Sequence, residues 1–209
     1  MSLEYSDLIS STLSTHAKKI IGANENESIT YYMEDFSGQM YIDRYYQLNT
    51  EWVFEDNEIL INSVGNATSD KNQIRNIFNK IDAIIDLDFK EMTHNNGSQI
   101  DIYSVSSSSS FSENVVGQII SQENQAGAWF DILWKESGEK DITDTNEIST
   151  LIHELGHSFG LSHPKNDPYN INWDTDDTVM SYNVGINGWS DWFSEIDLLA
   201  LKSIWGREN

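Results

Sequence analysis

His153, Glu154, His157 and His163 are the residues of this chain whose types and spacing point most directly to chemistry. An α-helix advances about 100° and 1.5 Å per residue, so side chains four apart lie about 40° apart and about 6 Å along the axis. His153 and His157 can therefore aim two imidazoles at one metal ion, with Glu154 at their flank. His163 cannot join them by continuing the helix, because it would point about 240° away from His157 and about 9 Å further along. The chain must leave the helix and turn back. Gly160 is where it can do so, since glycine accepts positive φ at a helix C-terminus without steric cost. Three imidazole nitrogens then occupy three corners of a tetrahedron and the fourth stays open, which separates catalytic zinc from structural zinc. A chance match at five fixed positions arises on the order of once per hundred thousand chains of this size. The spacing thus predicts one catalytic Zn2+.

The helix that carries the motif must also bury a face. Ile148, Leu151, Ile152, Leu155 and Phe159 fall within a sector about 100° wide, and the histidines lie on the other side. Asp144 with Glu147 is a capping signal for its start. Upstream, residues 5–21 read as an amphipathic helix stopped by Gly22, with His16 as a solvated residue, and Asn24–Glu27 as a polar loop. Ile29–Met33 reads as a strand by its β-branched and aromatic content. Residues 35–67 hold clustered aromatics (Tyr41, Tyr45, Tyr46, Trp52, Phe54) and a short apolar run, Ile59–Ile61. They are expected to form a hairpin layer packed on the core, with a substrate-facing or inhibitory flap as the other reading. Asn66-Ala67-Thr68 fits a glycosylation sequon.

Residues 70–85 show the plainest helical periodicity, through Ile74, Ile77, Phe78, Ile81, Ile84 and Ile85. Asp88–Met92 and Ile100–Val105 read as strands joined by a turn-rich loop containing His94. The serine run Ser106–Ser110 reads as a flexible loop, and Val115–Ile120 as a core-packed loop or a brief strand. Ala126–Trp134 is a strand with Phe130, Ile132 and Trp134 on one face and Trp129, Asp131 and Leu133 on the other. Asp167–Asp177 is acid-rich. It could hold Ca2+, which takes several oxygen ligands, but it lacks a spaced loop signature and is expected to be a solvated connection. Ser194 with Asp197 opens a last helix that runs to Trp205 and ends at Gly206.

The composition sets bounds. The 209 residues carry a formal net charge of -22 with only 12 Lys and Arg, too few for a nucleic-acid footprint. No apolar run of about 18 residues suggests a membrane span. Cysteine is absent, so disulfides and any cysteine-based latency are excluded. No signal peptide is visible in this chain.

HELGHSFGLSH matches HExxHxxGxxH, the signature of metzincin metalloproteases, and Thr178-Val179-Met180-Ser181-Tyr182 resembles their methionine turn. His163-Pro164 and the Met-Ser-Tyr turn are most similar to the serralysin branch and its matrixin-like relatives. The glycine-aspartate calcium repeats of serralysins are missing. The resemblance implies an α+β catalytic domain: a mixed twisted sheet with an edge strand over the cleft, an active-site helix and a C-terminal helix. It implies one domain over 1–209, divided as 1–27, 28–144, 145–163 and 164–209. It also implies a zinc-dependent endopeptidase in which His153, His157 and His163 hold the ion and Glu154 acts as general base. Tyr182 would stabilise the oxyanion, and Met180 would pack beneath the site. The strand 126–134 would be the edge strand, with Trp129 and Asp131 as substrate contacts. Asn183 and Val184, with Trp189 and Trp192, would wall the specificity pocket. The expected partner is a protein or peptide substrate, met by a secreted monomer without nucleic acid or membrane. The other readings are a zinc-containing peptide receptor that does not cleave, or an enzyme inhibited by its own N-terminal segment.

Overall fold

A computed structural model describes residues 2–21, 28–48, 51–136 and 145–208; of the side chains, 21, 46–48 and 51–57 are outside the description. Asp144, Gly22 and Asn24–Glu27 therefore lie outside the described residues, as do the side chains of Tyr46, Trp52 and Phe54. The elements in order are α1 (Ser11–Ile21), β1 (Ser28–Met33), β2 (Gly38–Leu48), β3 (Glu51–Ser63), α2 (Thr68–Asp82), β4 (Asp88–Glu91), β5 (Ile100–Ser108), β6 (Gly117–Asn124), β7 (Gly127–Lys135), α3 (Thr145–Ser158) and α4 (Glu195–Trp205). The expected α+β class is what they form: seven strands in one mixed sheet, with helices packed against it.

β5 is the axis of the sheet. Its start pairs with β1 in parallel, its end with β3 in antiparallel, and its other edge with β7 in parallel. β4 adds to β1 in parallel, and β6 adds to β7 in antiparallel. The expectation that residues 126–134 form the edge strand is thus corrected. β7 has a neighbour on each side, and β6 takes the edge position beside α3. The sequence hid this because residues 117–124, Gly-Gln-Ile-Ile-Ser-Gln-Glu-Asn, are too polar after Ile120 to announce a strand.

The alternation in β7 holds. Phe130, Ile132 and Trp134 enter the main core with Leu151, Ile152 and Leu155 of α3 and with Phe159 just after it. Leu133 joins a smaller core on the far face, with Ile42, Ile59, Ile61, Tyr103, Val105 and Ile120. The β2–β3 hairpin supplies three of those residues and also ties to β6. Tyr45 N–H donates to Gln122 Oε1 at 2.8 Å, and Gln122 Nε2 donates to the Asp43 carbonyl at 2.6 Å. It packs on the core as expected of this region, but as two strands of the same sheet, with β3 paired to β5, and not as a separate layer.

Four local expectations change. Residues 5–21 are not one helix: a 3-10 turn at Tyr5–Leu8 precedes α1, and Ile9 between them bridges to Leu161. The serine run does not loop out at once. β5 continues to Ser108 because its backbone pairs with β3 and Ser109 Oγ accepts from Leu60 N–H at 3.0 Å. Asn66 is buried, and its Nδ2 donates to the carbonyls of Glu34 and Ile102 at 2.9 and 3.1 Å. The nitrogen a glycan would need is held inside the fold, so the sequon is structural. His16, expected to be solvated, is half-buried edge-on to Phe130 at 5.4 Å, and burial lowers its pKa. No described helix is long and apolar enough to cross a membrane.

Candidate metal centre

α3 presents His153 and His157 from a buried face, with ring centroids 4.7 Å apart. The helix ends at Gly160, whose φ of 97° is the left-handed conformation expected there. Gly160 N–H donates to the His157 carbonyl at 3.0 Å, and Leu161 N–H donates to the Gly156 carbonyl at 2.9 Å, closing the helix with a turn. A side chain at Gly160 would also meet Ser14 Cα at 3.0 Å, so α1 sits directly behind the turn. The chain then folds back and brings His163 to 5.3 Å from His153 and 4.8 Å from His157, centroid to centroid. One ligand nitrogen from each of the three lies within 4.8 Å of the others.

The hydrogen bonds decide which nitrogens face inward. His153 Nδ1 donates to the Val179 carbonyl and His157 Nδ1 to the Leu161 carbonyl, each at 2.8 Å. This fixes the ring orientation and leaves Nε2 with its lone pair free, the backing that metal-bound imidazoles need. The Nε2 atoms of His153 and His163 are buried with no hydrogen-bond partner. A buried polar atom without a partner costs about 1–3 kcal/mol, so two at one point call for an occupant. Burial and the neighbouring imidazoles hold His153 and His163 well below the usual histidine pKa, His163 at about 4, and burial lowers His157. Neutral imidazoles are the ligand form. The residues fit one zinc ion. Among the described residues they are the one group of three or more His, Cys, Asp or Glu arranged to share an ion.

Glu154 is buried beside them. Burial pushes its carboxyl up to about 8, opposed by the amide of Ile119 in β6. Gly117 in the same strand makes room for it: a Cβ there would lie 2.7 Å from Glu154 Oε1 and 2.6 Å from Thr150 Cγ2. Tyr182 lies over the cluster, with its ring 5.2 Å from His153 and 5.0 Å from His163. Burial first, then Glu154 and Tyr169, pushes its hydroxyl up to about 12, so it remains a donor at neutral pH. Tyr169 packs edge-on to Tyr182 at 5.1 Å. A cavity of about 460 Å³ opens on His153 and Glu154, walled by Val115, Val116, Gly117, Thr150, Tyr182 and Trp189 among others.

Met180 is fully buried beneath the helix. Gly156 permits its approach, since a Cβ at that position would lie 2.8 Å from Met180 Sδ. The turn is held from α4. Asp197 accepts from Val179 N–H at 3.0 Å, from Thr178 Oγ1 and from Ser194 N–H at 2.8 Å. Asp197 thus fixes Val179, whose carbonyl orients His153. In the sequence Asp197 was legible only as a helix cap. Gly156 carried the one further signal, a glycine inside a helix at a cost of about 1 kcal/mol.

The remaining candidates are not brought together. Trp129 and Asp131 line a different cavity, on the sheet face away from α3, with Asp101 and Tyr103. Asn183 is engaged in its loop, donating to the Asn170 and Trp173 carbonyls. Val184 is exposed. Neither lines the cavity at the histidines, and of the four proposed wall residues Trp189 alone does. Trp192 packs beneath Lys80 Nζ, 3.6 Å from its ring centroid. In the acid-rich loop, Asp174, Asp176 and Asp177 accept backbone N–H groups of Asp176, Ile186 and Asp174. They act as turn-formers there.

Compared with known proteins, residues 41–164 match the family model described as Metallo-peptidase family M12B Reprolysin-like, more than half of the chain. No curated protein matches it.

Proposed function

The chain belongs to the reprolysin-like M12B metallopeptidases, metzincin-type zinc proteases, and we propose that it is an endopeptidase whose base is Glu154 and whose zinc ligands are His153, His157 and His163. The observation that carries this reading is the pair of partnerless Nε2 atoms on His153 and His163, buried beside a buried carboxylate. The chemistry that zinc supplies when bound is Lewis acidity, toward a carbonyl oxygen and toward water.

Glu154 takes the proton of the attacking water and hands it to the leaving amine nitrogen. Burial raises the proton affinity of its carboxyl, which suits the second transfer, and the positive charge of a bound zinc would favour the ionised form that the first one needs. Tyr182, protonated and aimed over the histidines, donates to the oxyanion of the tetrahedral intermediate. Its place two residues after Met180 matches the tyrosine of serralysins and astacins, while His163-Pro164 and the Met-Ser-Tyr turn support the finer kinship with serralysins and their matrixin-like relatives. Met180 acts as packing, and Gly160 as the turn that returns His163. The substrate is an extended protein or peptide segment entering beside the start of β6, where Gly117 lines the cavity. Residues 1–209 act as one catalytic domain, and secretion follows from the family resemblance.

The test is Glu154→Gln. It should retain one zinc per chain and lower kcat/KM on an unfolded protein substrate by about 10³-fold. If zinc-loaded wild type is as inert as the variant across a peptide library, the protein is a receptor that keeps the fold without the reaction.

A further inference from the structure

The segment that precedes α1 touches the metal centre from behind. Leu8 is fully buried, and its carbonyl accepts Ser162 N–H at 2.7 Å, one residue before His163. Ile9 forms an antiparallel bridge with Leu161. Leu161 is fully buried too, and its carbonyl is the one that receives His157 Nδ1–H. Two residues from the N-terminal segment therefore hold the two that orient the second and third imidazoles. Asp7 reaches Lys165 at 3.5 Å just past His163, and its carboxylate also caps the 3-10 turn through Glu4 N–H at 3.1 Å. Lys165 and Asn166 have φ of 51° and 60° without being glycine, so this return turn depends on outside contacts to hold its shape.

We propose that Leu8 and Ile9 are positioning residues for the metal centre, a strap that sets zinc affinity by holding Leu161 and Ser162. The inference rests on the three histidines being the zinc ligands. Between Gly160 and the short 3-10 turn at Pro164–Asn166 the chain has no strand or helix of its own. Without the strap, His163 and the Leu161 carbonyl would sample positions that do not converge, and binding would have to select the competent fraction. The sign opposes N-terminal autoinhibition: loosening the segment lowers activity here, whereas releasing an inhibitor raises it. No described residue of 2–21 lines the cavity at His153.

The experiment uses the full-length chain and Zn2+ itself, measured by competition with a chromophoric chelator and by the visible absorption of the Co2+ form. Leu8→Ala should weaken zinc binding about 10- to 100-fold, the range seen when groups orienting metal ligands are lost. It should also alter the Co2+ spectrum. Ile81→Ala, in the α2 core away from the site, is the control. It should lower the melting temperature of the metal-free protein comparably while leaving affinity within about two-fold, because a globally weaker fold that is still folded keeps its site. Asp7→Lys, part-exposed and tolerable to the fold, should weaken binding a few-fold and carries the test if Leu8→Ala does not fold. Wild-type affinity in Leu8→Ala and Asp7→Lys, or equal weakening in Ile81→Ala, overturns the strap while leaving the metal centre intact. A wild type that binds no zinc overturns both.

Discussion

Two groups of buried ionisable side chains lie on opposite faces of the central sheet, and they differ in how their hydrogen bonds close. On the α3 face, His153 and His163 each keep a buried Nε2 without a partner. On the other face, Asp101 and Asp131 stand side by side in register on β5 and β7. Ser98 Oγ donates to Asp101, and Gln122 Nε2 donates to Asp131 at 2.7 Å. Burial raises both acids, to about 8 and about 7. Both groups sit beside cavities and both have perturbed pKa values, so neither property separates them. Partnership does. The acids are satisfied within the fold, and the imidazoles converge on a point that the protein itself does not fill.

The sharpest way to break that contrast is to remove one member from each group. His157→Ala should abolish stoichiometric zinc binding and lower cleavage by about 10³-fold or more. It should also erase the stabilisation by added metal, about 2.7 kcal/mol at a hundred times the dissociation constant. Asp101→Asn should keep zinc content and activity. Metal analysis and thermal melts with and without zinc check both. Equal loss in the two variants would mean that partnership does not mark the functional face.

Asp197 sharpens the comparison, because it is a satisfied buried acid on the site side. Asp197→Ala would strand the donors of Val179, Thr178 and Ser194. It should cost about 3 kcal/mol of metal-free stability, as expected for stranded buried donors around a lost carboxylate. It should also weaken zinc about 10-fold through the Val179–His153 contact. Denaturant melts and chelator competition separate the two effects. If stability falls and affinity does not, Asp197 serves α4 alone.

Much of this site was legible because its chemistry constrains neighbours in sequence. His153, Glu154 and His157 share one helix turn, and Gly160 announces the return by being the residue that can take positive φ. Tyr182 and Met180 were legible through the family's turn. What failed depended on contacts far apart in the chain. Trp129 and Asp131 were assigned to the cleft on the premise that β7 was the edge. Strand order is set by pairing with β5 and β6, which periodicity within one strand does not encode. The Leu8–Ser162 and Asp197–Val179 contacts join residues whose types are unremarkable alone. The break in 5–21 followed from the same cause, since Ile9 leaves a helical register in order to bridge Leu161.

The smallest expected effect concerns the satisfied acids and pH. A carboxyl raised in the folded state keeps its proton there after the unfolded chain has lost it. Its contribution to stability is therefore fully present below the unfolded pKa of about 4 and is lost as pH rises through the folded value. For Asp131 that window runs from about 4 to about 7, and for Asp101 to about 8. Asp131→Asn removes one titration while an amide keeps a hydrogen-bonding shape toward Gln122. The variant should gain on wild type as pH climbs from 5 to 8, by on the order of 1–2 kcal/mol, with zinc affinity unchanged. The chain's charge of -22 also disfavours the compact state as pH rises. That background is nearly common to both proteins, so the difference between their melting curves isolates Asp131. A difference that stays flat between pH 5 and 8 would mean that Asp131 is ionised in the fold like an ordinary surface acid, and the two faces of the sheet would differ less than their hydrogen bonds imply.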